Sequence, residues 1–397
     1  MSDHRAAFAK LGYLYQIRYA LYRAIEDTDA YYIKLESLDD VEVKKRTELE
    51  LFQLKHHTGD ENLTNKSVDL WKTIGIWAEQ ILKGTLDNED VKYYLATTAK
   101  VPEKSIANML RERNRNVAKA VEELEEVAKE IKNKQLEDSV SNFLKLSPEQ
   151  RVAMCDSMII LSEEDNSDKI VSKIKSRLEL TVKPAFVDNL YERLEGWWFS
   201  EVISFLLGKK DNIWRNEVTS KLTDLSFDYH PDSLPIDYEE LEIDDEERDG
   251  FLNYQFVKQL ELVGVGTERI HNAILDYYRA YHQRSKWVTD ELSIDNEIEK
   301  YEVKLQSDWN RFRLSVIDEL EDEDVSEKEI KKAGREILKW VEVTADIRIR
   351  KRVLQRFIMI GSYHILANKR TLPLGWHPHF KARMEEIFKN SELSHAN

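Results

Sequence analysis

Hydrophobic residues recur at steps of three and four over residues 3–27, where Phe8, Leu11, Leu14, Tyr15, Tyr19 and Tyr22 make one broad stripe. That period predicts an amphipathic helix. Gly12 sits inside it. An interior glycine costs about 1 kcal/mol against alanine, so a close backbone contact at Gly12 is expected. The period then drops to two. Residues 31–36 (YYIKLE) alternate, Ile33 and Leu35 against Lys34 and Glu36, and read as a strand. The polar stretch 37–48 (SLDDVEVKKRTE) reads as a turn. A second strand over 48–56 places Phe52 and Leu54 on one face, Gln53 and Lys55 on the other. After a loop at 57–66, Ser67 is the expected N-cap of a helix that ends at Gly84. Residues 91–98 (VKYYLATT) make a third strand. The order α-β-β-α-β, with a right-handed crossover, predicts a small α/β unit of roughly 100 residues.

From Glu103 the pattern turns charged and helical, with a short buried strand expected within 155–161 (CDSMIIL) and a break at Pro184. Residues 231–249 are acidic, carry two prolines and read as a linker. Residues 250–389 are helical again, and Pro373 and Pro378 end the last long helix.

Composition sharpens this picture in three places. Twelve Gly and seven Pro in 397 residues fall well below the usual roughly 7% and 5% and argue against a turn-rich all-β fold. The single cysteine, Cys155, excludes a disulfide framework and a cysteine-based zinc site; between Met154, Met158 and Ile159 it is expected to be a buried, inert thiol. The first ten residues carry charge where a signal peptide would be apolar, and no run approaches the ~18 apolar residues of a membrane span. A soluble cytoplasmic protein is expected. The 59 Lys and Arg against 75 Asp and Glu leave a net charge of −16, which opposes non-specific nucleic-acid binding by the chain as a whole. Action on DNA therefore needs a local basic strip or a partner that grips the DNA. The candidate strips are 111–115, with Arg111 and Arg113, and 347–356, with Arg348, Arg350, Lys351 and Arg352.

The chemically informative set is Glu36, Asp40 and Gln53-Leu54-Lys55. Glu36 ends the first strand, and Asp40 lies just beyond it. Gln53 and Lys55, two apart on the next strand, share a face. Carboxylates, an amide oxygen and an ammonium would then meet at one end of a sheet. Phosphodiester hydrolysis uses such a set: carboxylates hold Mg²⁺ through oxygen ligands, and a lysine serves the attacking water or the charge that builds on phosphorus. Asp39 is the alternative to Asp40. His56, directly after the lysine, is either a phosphate contact or a solvated strand end.

The arrangement resembles the PD-(D/E)xK nuclease superfamily, whose minimal core is α-β-β-β-α-β; the match needs a strand or turn from 41–47. The resemblance makes Asp40, Glu36 and Gln53 the metal ligands, and Gln53 in place of a second acid favours one Mg²⁺ (or Mn²⁺) over two. Gly12-Tyr13-Leu14-Tyr15-Gln16, Leu35-Glu36, Asp39-Asp40-Val41, Phe52-Gln53-Leu54-Lys55-His56 and Asp69-Leu70-Trp71-Lys72-Thr73 are similar to the dsDNA-endonuclease domain of bacterial antiphage effectors, found in CBASS nucleases and in the nuclease subunit of Lamassu systems. The same resemblance gives Gln16 an accessory role. In the C-terminal part, Tyr277–Trp287, Gly361–Asn368 and Gly375-Trp376-His377-Pro378 resemble the C-terminal domain of ABC three-component defence systems.

Together these imply an α+β fold: a restriction-endonuclease-like α/β core followed by a large, mostly α-helical C-terminal part. The expected division is a nuclease domain with helical extension at 1–230, an acidic linker at 231–249 and a helical partner-binding domain at 250–397. The implied activity is Mg²⁺-dependent endonucleolytic cleavage of double-stranded DNA. The implied partners are an SMC/Rad50-like ATPase subunit and a small helical subunit, with a homo-oligomer as the active state. Two alternatives remain at this point: a non-catalytic DNA- or partner-binding adaptor, and a CBASS effector gated by a cyclic nucleotide.

Overall fold

The computed structural model describes residues 2–57, 61–86, 90–162, 167–293, 296–320 and 325–394. They fall into two compact units, Met1–Ser226 and Phe227–Asn397.

The first unit is built on a six-stranded sheet: β1 (Ala30–Leu35), β2 (Val41–Lys45), β3 (Glu48–Lys55), β4 (Asp90–Thr97), β5 (Met158–Ser162) and β6 (Ile213–Trp214). Their spatial order is β5-β4-β3-β2-β1-β6. The strands β1, β2 and β3 form an antiparallel meander. The helix α2 (Val68–Leu82) then carries the chain across to β4, which lies parallel to β3, as the chain length between two parallel strands requires. Apolar side chains cover both faces. Leu49 and Leu51 of β3 belong to a core with Leu70, Trp71, Ile74 and Trp77 of α2. On the other face Phe52 stacks on Tyr94 at 4.6 Å and meets Tyr19 of α1 (Ser2–Glu26) at 5.6 Å. A strand covered on both faces carries bulky apolar residues at consecutive positions, as Leu51-Phe52 do.

Several local readings need correction. The stretch 37–48 is not all turn, because β2 lies within it. Its polar sequence (VEVKK) hides a strand whose charges are matched across the sheet: Glu42 is buried opposite Lys34, 3.7 Å from its ammonium, and Lys45 pairs with Glu50 at 3.0 Å. The strand expected at 155–161 starts only at Met158. Cys155 lies in the last turn of a helix, Pro148–Ser157, launched by a reciprocal Ser147–Gln150 capping box; its thiol is buried, and burial pushes it up to about 12. Gly12 has no close neighbour: a Cβ there would meet nothing within 4 Å. Ser67 stands at the N-cap of α2, but its side chain makes no capping bond.

The second unit is helical, with the long helices Thr267–Thr289, Glu297–Asp318, Glu327–Lys339, Arg356–Ala367 and Phe380–Ser394. Gly361 lets the helix Arg356–Ala367 approach the helix Thr267–Thr289, since a Cβ there would lie 2.0 Å from the Asp276 carbonyl oxygen. The acidic stretch read as a linker is strapped to this unit. The Gln283 side-chain oxygen accepts the Asp237 and Tyr238 N–H groups at 2.6 and 3.2 Å, and the Trp287 indole donates to the Pro235 carbonyl at 2.7 Å. No described helix is long and apolar enough to cross a membrane.

Candidate active site

Antiparallel pairing of β2 and β3, with Val41 opposite Phe52, brings the start of β2 beside the end of β3. The loop 36–40 joins β1 to β2 at the same sheet edge. It is closed by the Glu36 N–H donating to the Asp40 carbonyl at 3.1 Å. Glu36 takes a left-handed backbone, φ 50°, a conformation that costs a residue with a Cβ roughly 1–2 kcal/mol and that clusters at functional sites.

The two aspartates of this loop do different work. The Asp40 carboxylate accepts the Leu54 N–H through Oδ2 at 2.7 Å. It thereby extends the β2–β3 ladder by one rung, and its Oδ1 has no partner among the described residues. Asp39 is 8% exposed and has both oxygens engaged: Oδ2 accepts the Trp77 indole N–H at 2.7 Å, and Oδ1 accepts the Asp40 N–H at 3.0 Å. Burial, with the Asp40 charge adding to it, raises the Asp39 carboxyl to about 7. Asp39 therefore secures the loop, and Asp40 is the one with an open oxygen. The exposed Glu36 is also raised, chiefly by desolvation and then by Asp40, while Lys55 pulls it down.

Gln53 and Lys55 sit at the last turn of the pleat in β3, paired to Leu95 and Thr97 of β4. Gln53 is 4% exposed, and its Oε1 has no hydrogen-bond donor. A buried acceptor left unpaired costs about 1–3 kcal/mol, so such atoms point to a missing ligand or a functional constraint. Gln16 of α1 likewise has a buried side-chain oxygen without a donor. Lys55 is half-buried, forms no ion pair with a described carboxylate, and lowers both Glu36 and Asp39. His56 packs its ring against Tyr15 at 5.0 Å; burial and then His57 hold it below the usual histidine value. His57 bridges Glu61 and Asp69 at 2.8 and 2.9 Å.

The sheet edge thus collects Glu36, Asp39, Asp40, Gln53, Lys55 and His56. Sequence reasoning missed Trp77; its indole N–H holds Asp39, and nothing in a helical apolar stripe marks one donor as special. Among the described residues, no three His, Cys, Asp or Glu side chains group as a metal site. The donor set is two acids, Glu36 and Asp40, with the orphaned amide oxygen of Gln53. That suits a hard ion which keeps several waters and takes only one or two carboxylates.

The basic strips fare differently. Arg350 is consumed internally: its guanidinium grips Glu297 at 2.8 and 2.7 Å and donates to the Ser233 and Leu292 carbonyls, which corrects its reading as a DNA contact. Arg348 chelates Asp346 at 2.9 and 2.8 Å, and Arg352 lies 4.2 Å over the Phe227 ring. Lys351 and Arg113 are exposed, and Arg111 is half-buried. Arg115, in the same strip as Arg111 and Arg113, donates to the carbonyls of Met158 and Cys155 at 2.8 and 3.1 Å.

Residues 7–196 match the family described as Cap4, dsDNA endonuclease domain, and residues 256–384 match C-terminal domain 7 of the ABC-three component systems. The chain carries a Cap4-type endonuclease domain followed by an ABC-three component C-terminal domain. That pairing matches a nuclease subunit of an ABC-three component antiphage system. Two solved structures are similar at low identity. The Moraxella osloensis Cap4 SAVED/CARF-domain containing receptor is 16% identical, with 70% of this chain and 69% of that one covered and a TM-score of 0.35. The Acinetobacter baumannii Cap4 receptor, solved with the cyclic trinucleotide 3'3'3'-cAAA, is 13% identical with 69% of each chain covered and a TM-score of 0.32. Among curated proteins none matches the chain.

Proposed function

We propose that the Cap4-type domain is a Mg²⁺- or Mn²⁺-dependent endonuclease of the PD-(D/E)xK kind, with its centre at the β1–β2–β3 edge. The observation that carries this is the buried, donorless Gln53 Oε1 beside an aspartate with an open oxygen and a lysine without an ion pair. Asp40 and Glu36 would hold the ion, with the Gln53 amide oxygen completing the protein's share. A divalent ion bound there supplies polarisation of the phosphodiester and a more acidic water.

The chain's own residues do the rest. Asp40, fixed by the Leu54 N–H, offers its free oxygen in one orientation. Asp39 and Trp77 pin the loop from inside. Lys55 neutralises charge building on the phosphate or orients the attacking water. Gln16 and His56 line the same edge from α1 and the end of β3 as accessory groups.

In this reading the protein is the cytoplasmic effector of a Lamassu-type complex. An SMC/Rad50-like ATPase and a small helical subunit hold it inactive, and it acts as a homo-oligomer when released. The chain's charge of −16 and the internal pairing of Arg348 and Arg350 support a DNA grip supplied by the partner. The deciding experiment is Lys55→Ala in a plasmid assay with Mg²⁺. Cleavage should vanish while folding and partner binding persist. Unchanged cleavage in the variant would overturn the assignment. A wild-type chain that cuts nothing when freed of partners would leave the non-catalytic adaptor, the reading favoured by the neutral Gln53.

A further inference from the structure

The second unit contains a cleft of about 420 Å³ lined by Trp309, Asn310, Arg313, Pro373, Pro378 and the residues that open the helix Phe380–Ser394. Three of its lining residues, Trp309, Arg313 and Lys381, carry side-chain groups that only donate. Trp309 is 4% exposed, yet its indole N–H has no acceptor. Arg313 has a buried Nε–H without an acceptor, and no described carboxylate pairs with it. The one hydrogen bond its guanidinium makes among the described residues is to the Pro378 carbonyl, at 2.8 Å.

The rings of Trp309 and Phe380 flank this guanidinium at 5.6 and 5.8 Å. Cation–π contacts of this kind offset only part of the cost of desolvating a cation. Burial, with no described carboxylate paired to it, accordingly pulls Arg313 below its usual value.

At the cleft's other wall the helix Phe380–Ser394 begins. The Phe380 and Arg383 N–H groups are taken by the His377 and His379 carbonyls. Those of Lys381 and Ala382 have no backbone acceptor, as the first turn of a helix leaves them, and the helix dipole adds positive potential there. No acidic residue stands in that first turn, and the Lys381 ammonium has no ion-pair partner among the described residues. Glu327, the carboxylate that reaches this helix, is held by Arg383 at 2.9 Å.

We infer that this cleft binds the oxyanion of a small phosphorylated molecule. Arg313, the Trp309 indole N–H, the Lys381 ammonium and the free N–H groups of Lys381 and Ala382 would take the phosphoryl oxygens. Arginine and helix N-termini are both recurring phosphate receptors, and here a half-buried Arg313 faces the start of a helix. The cleft is several times larger than one phosphate and leaves room for an organic group beside the anion.

The inference does not depend on the nuclease reading and concerns a different unit of the chain. It is tested on the full chain by titration calorimetry with three probes: inorganic phosphate, phenyl phosphate and acetate. Saturable binding of phosphate is expected, with phenyl phosphate tighter and acetate at least tenfold weaker. Arg313→Gln and Lys381→Glu should each weaken phosphate binding at least tenfold. Lys381 is exposed, so the second variant keeps the test decisive if Arg313→Gln fails to fold. No saturable binding in the wild type, or equal affinity in Lys381→Glu, would overturn the site. Acetate binding as tightly as phosphate would overturn the phosphoryl assignment.

Discussion

Trp77→Phe is the sharpest probe of how the 36–40 loop is held. The substitution keeps an aromatic ring in the core but deletes the indole N–H that donates to Asp39 Oδ2 at 2.7 Å. A hydrogen bond to a charged group contributes about 1.5–3 kcal/mol, and the ring truncation adds about 1–2 kcal/mol on the scale of large-to-small core changes. The Asp39 carboxyl stands near 7 in the folded chain, against about 3.9 unfolded. A folded value raised above the unfolded one contributes stability that is complete below about pH 4 and is lost as pH rises through about 7. The wild-type loss is bounded near 4 kcal/mol, from about three units at about 1.4 kcal/mol each. Removing the indole donor removes a group that lowers Asp39, so the folded value climbs further and the loss continues above pH 7. Thermal melts of the two proteins at pH 5 and pH 8.5 read this directly. The variant should fall below the wild type by a few degrees at pH 5 and by about twice that at pH 8.5, using about 2–4 °C per kcal/mol for a unit of this size. An equal deficit at both pH values would refute the claim that this indole stabilises the Asp39 carboxylate.

Three further outcomes follow from the geometry. Gln53→Met, which replaces a donorless buried acceptor with an apolar chain of similar volume, should leave the melting temperature unchanged or raised while DNA cleavage falls at least a hundredfold, measured by calorimetry and plasmid assay. Gly361→Ala should destabilise the second unit by about 2 kcal/mol or more, because overpacking against a backbone carbonyl leaves little room to adjust; a guanidinium unfolding curve decides it. Arg350→Ala should cost about 1–3 kcal/mol, since it removes the guanidinium's bonds to Glu297 and to the Ser233 and Leu292 carbonyls, and should leave the salt dependence of any DNA binding unchanged; a shallower salt slope would restore Arg350 as a phosphate contact.

Periodicity made much of the first unit legible. The alternation in β1 and the apolar run of α2 reported burial directly, whereas in the α1 stripe Tyr15 and Tyr19 are buried but Leu11 and Leu14 are exposed, and β3 is buried on both faces, Gln53 included. What it hid has a common cause. β2 carries Glu42, Lys44 and Lys45, and only the fold reveals that Lys34 and Glu50 stand beside two of these charges. β6 has two residues, too few for any period. Residues 231–249 look solvated in one dimension, yet backbone groups of the stretch are bound by Gln283, Trp287 and Arg279, thirty or more positions away.

At the site, side-chain type and strand register brought Glu36, Asp40, Gln53 and Lys55 to one edge on paper and in space. The division of labour between Asp39 and Asp40 was not legible, because it is set by Trp77 and by the Leu54 amide. Arg350 shows the converse: a run of basic residues in sequence says nothing of which of them already have counter-ions.

The account stands most directly on Asp40, whose free oxygen is assigned to the ion at the sheet edge. Supercoiled plasmid should be incubated with the wild-type chain in Mg²⁺, with the same chain in chelator, and with Asp40→Asn in Mg²⁺. The prediction is cleavage in the first alone, with the other two slower by at least a hundredfold and Asp40→Asn still folded. Cleavage by Asp40→Asn at the wild-type rate would contradict it.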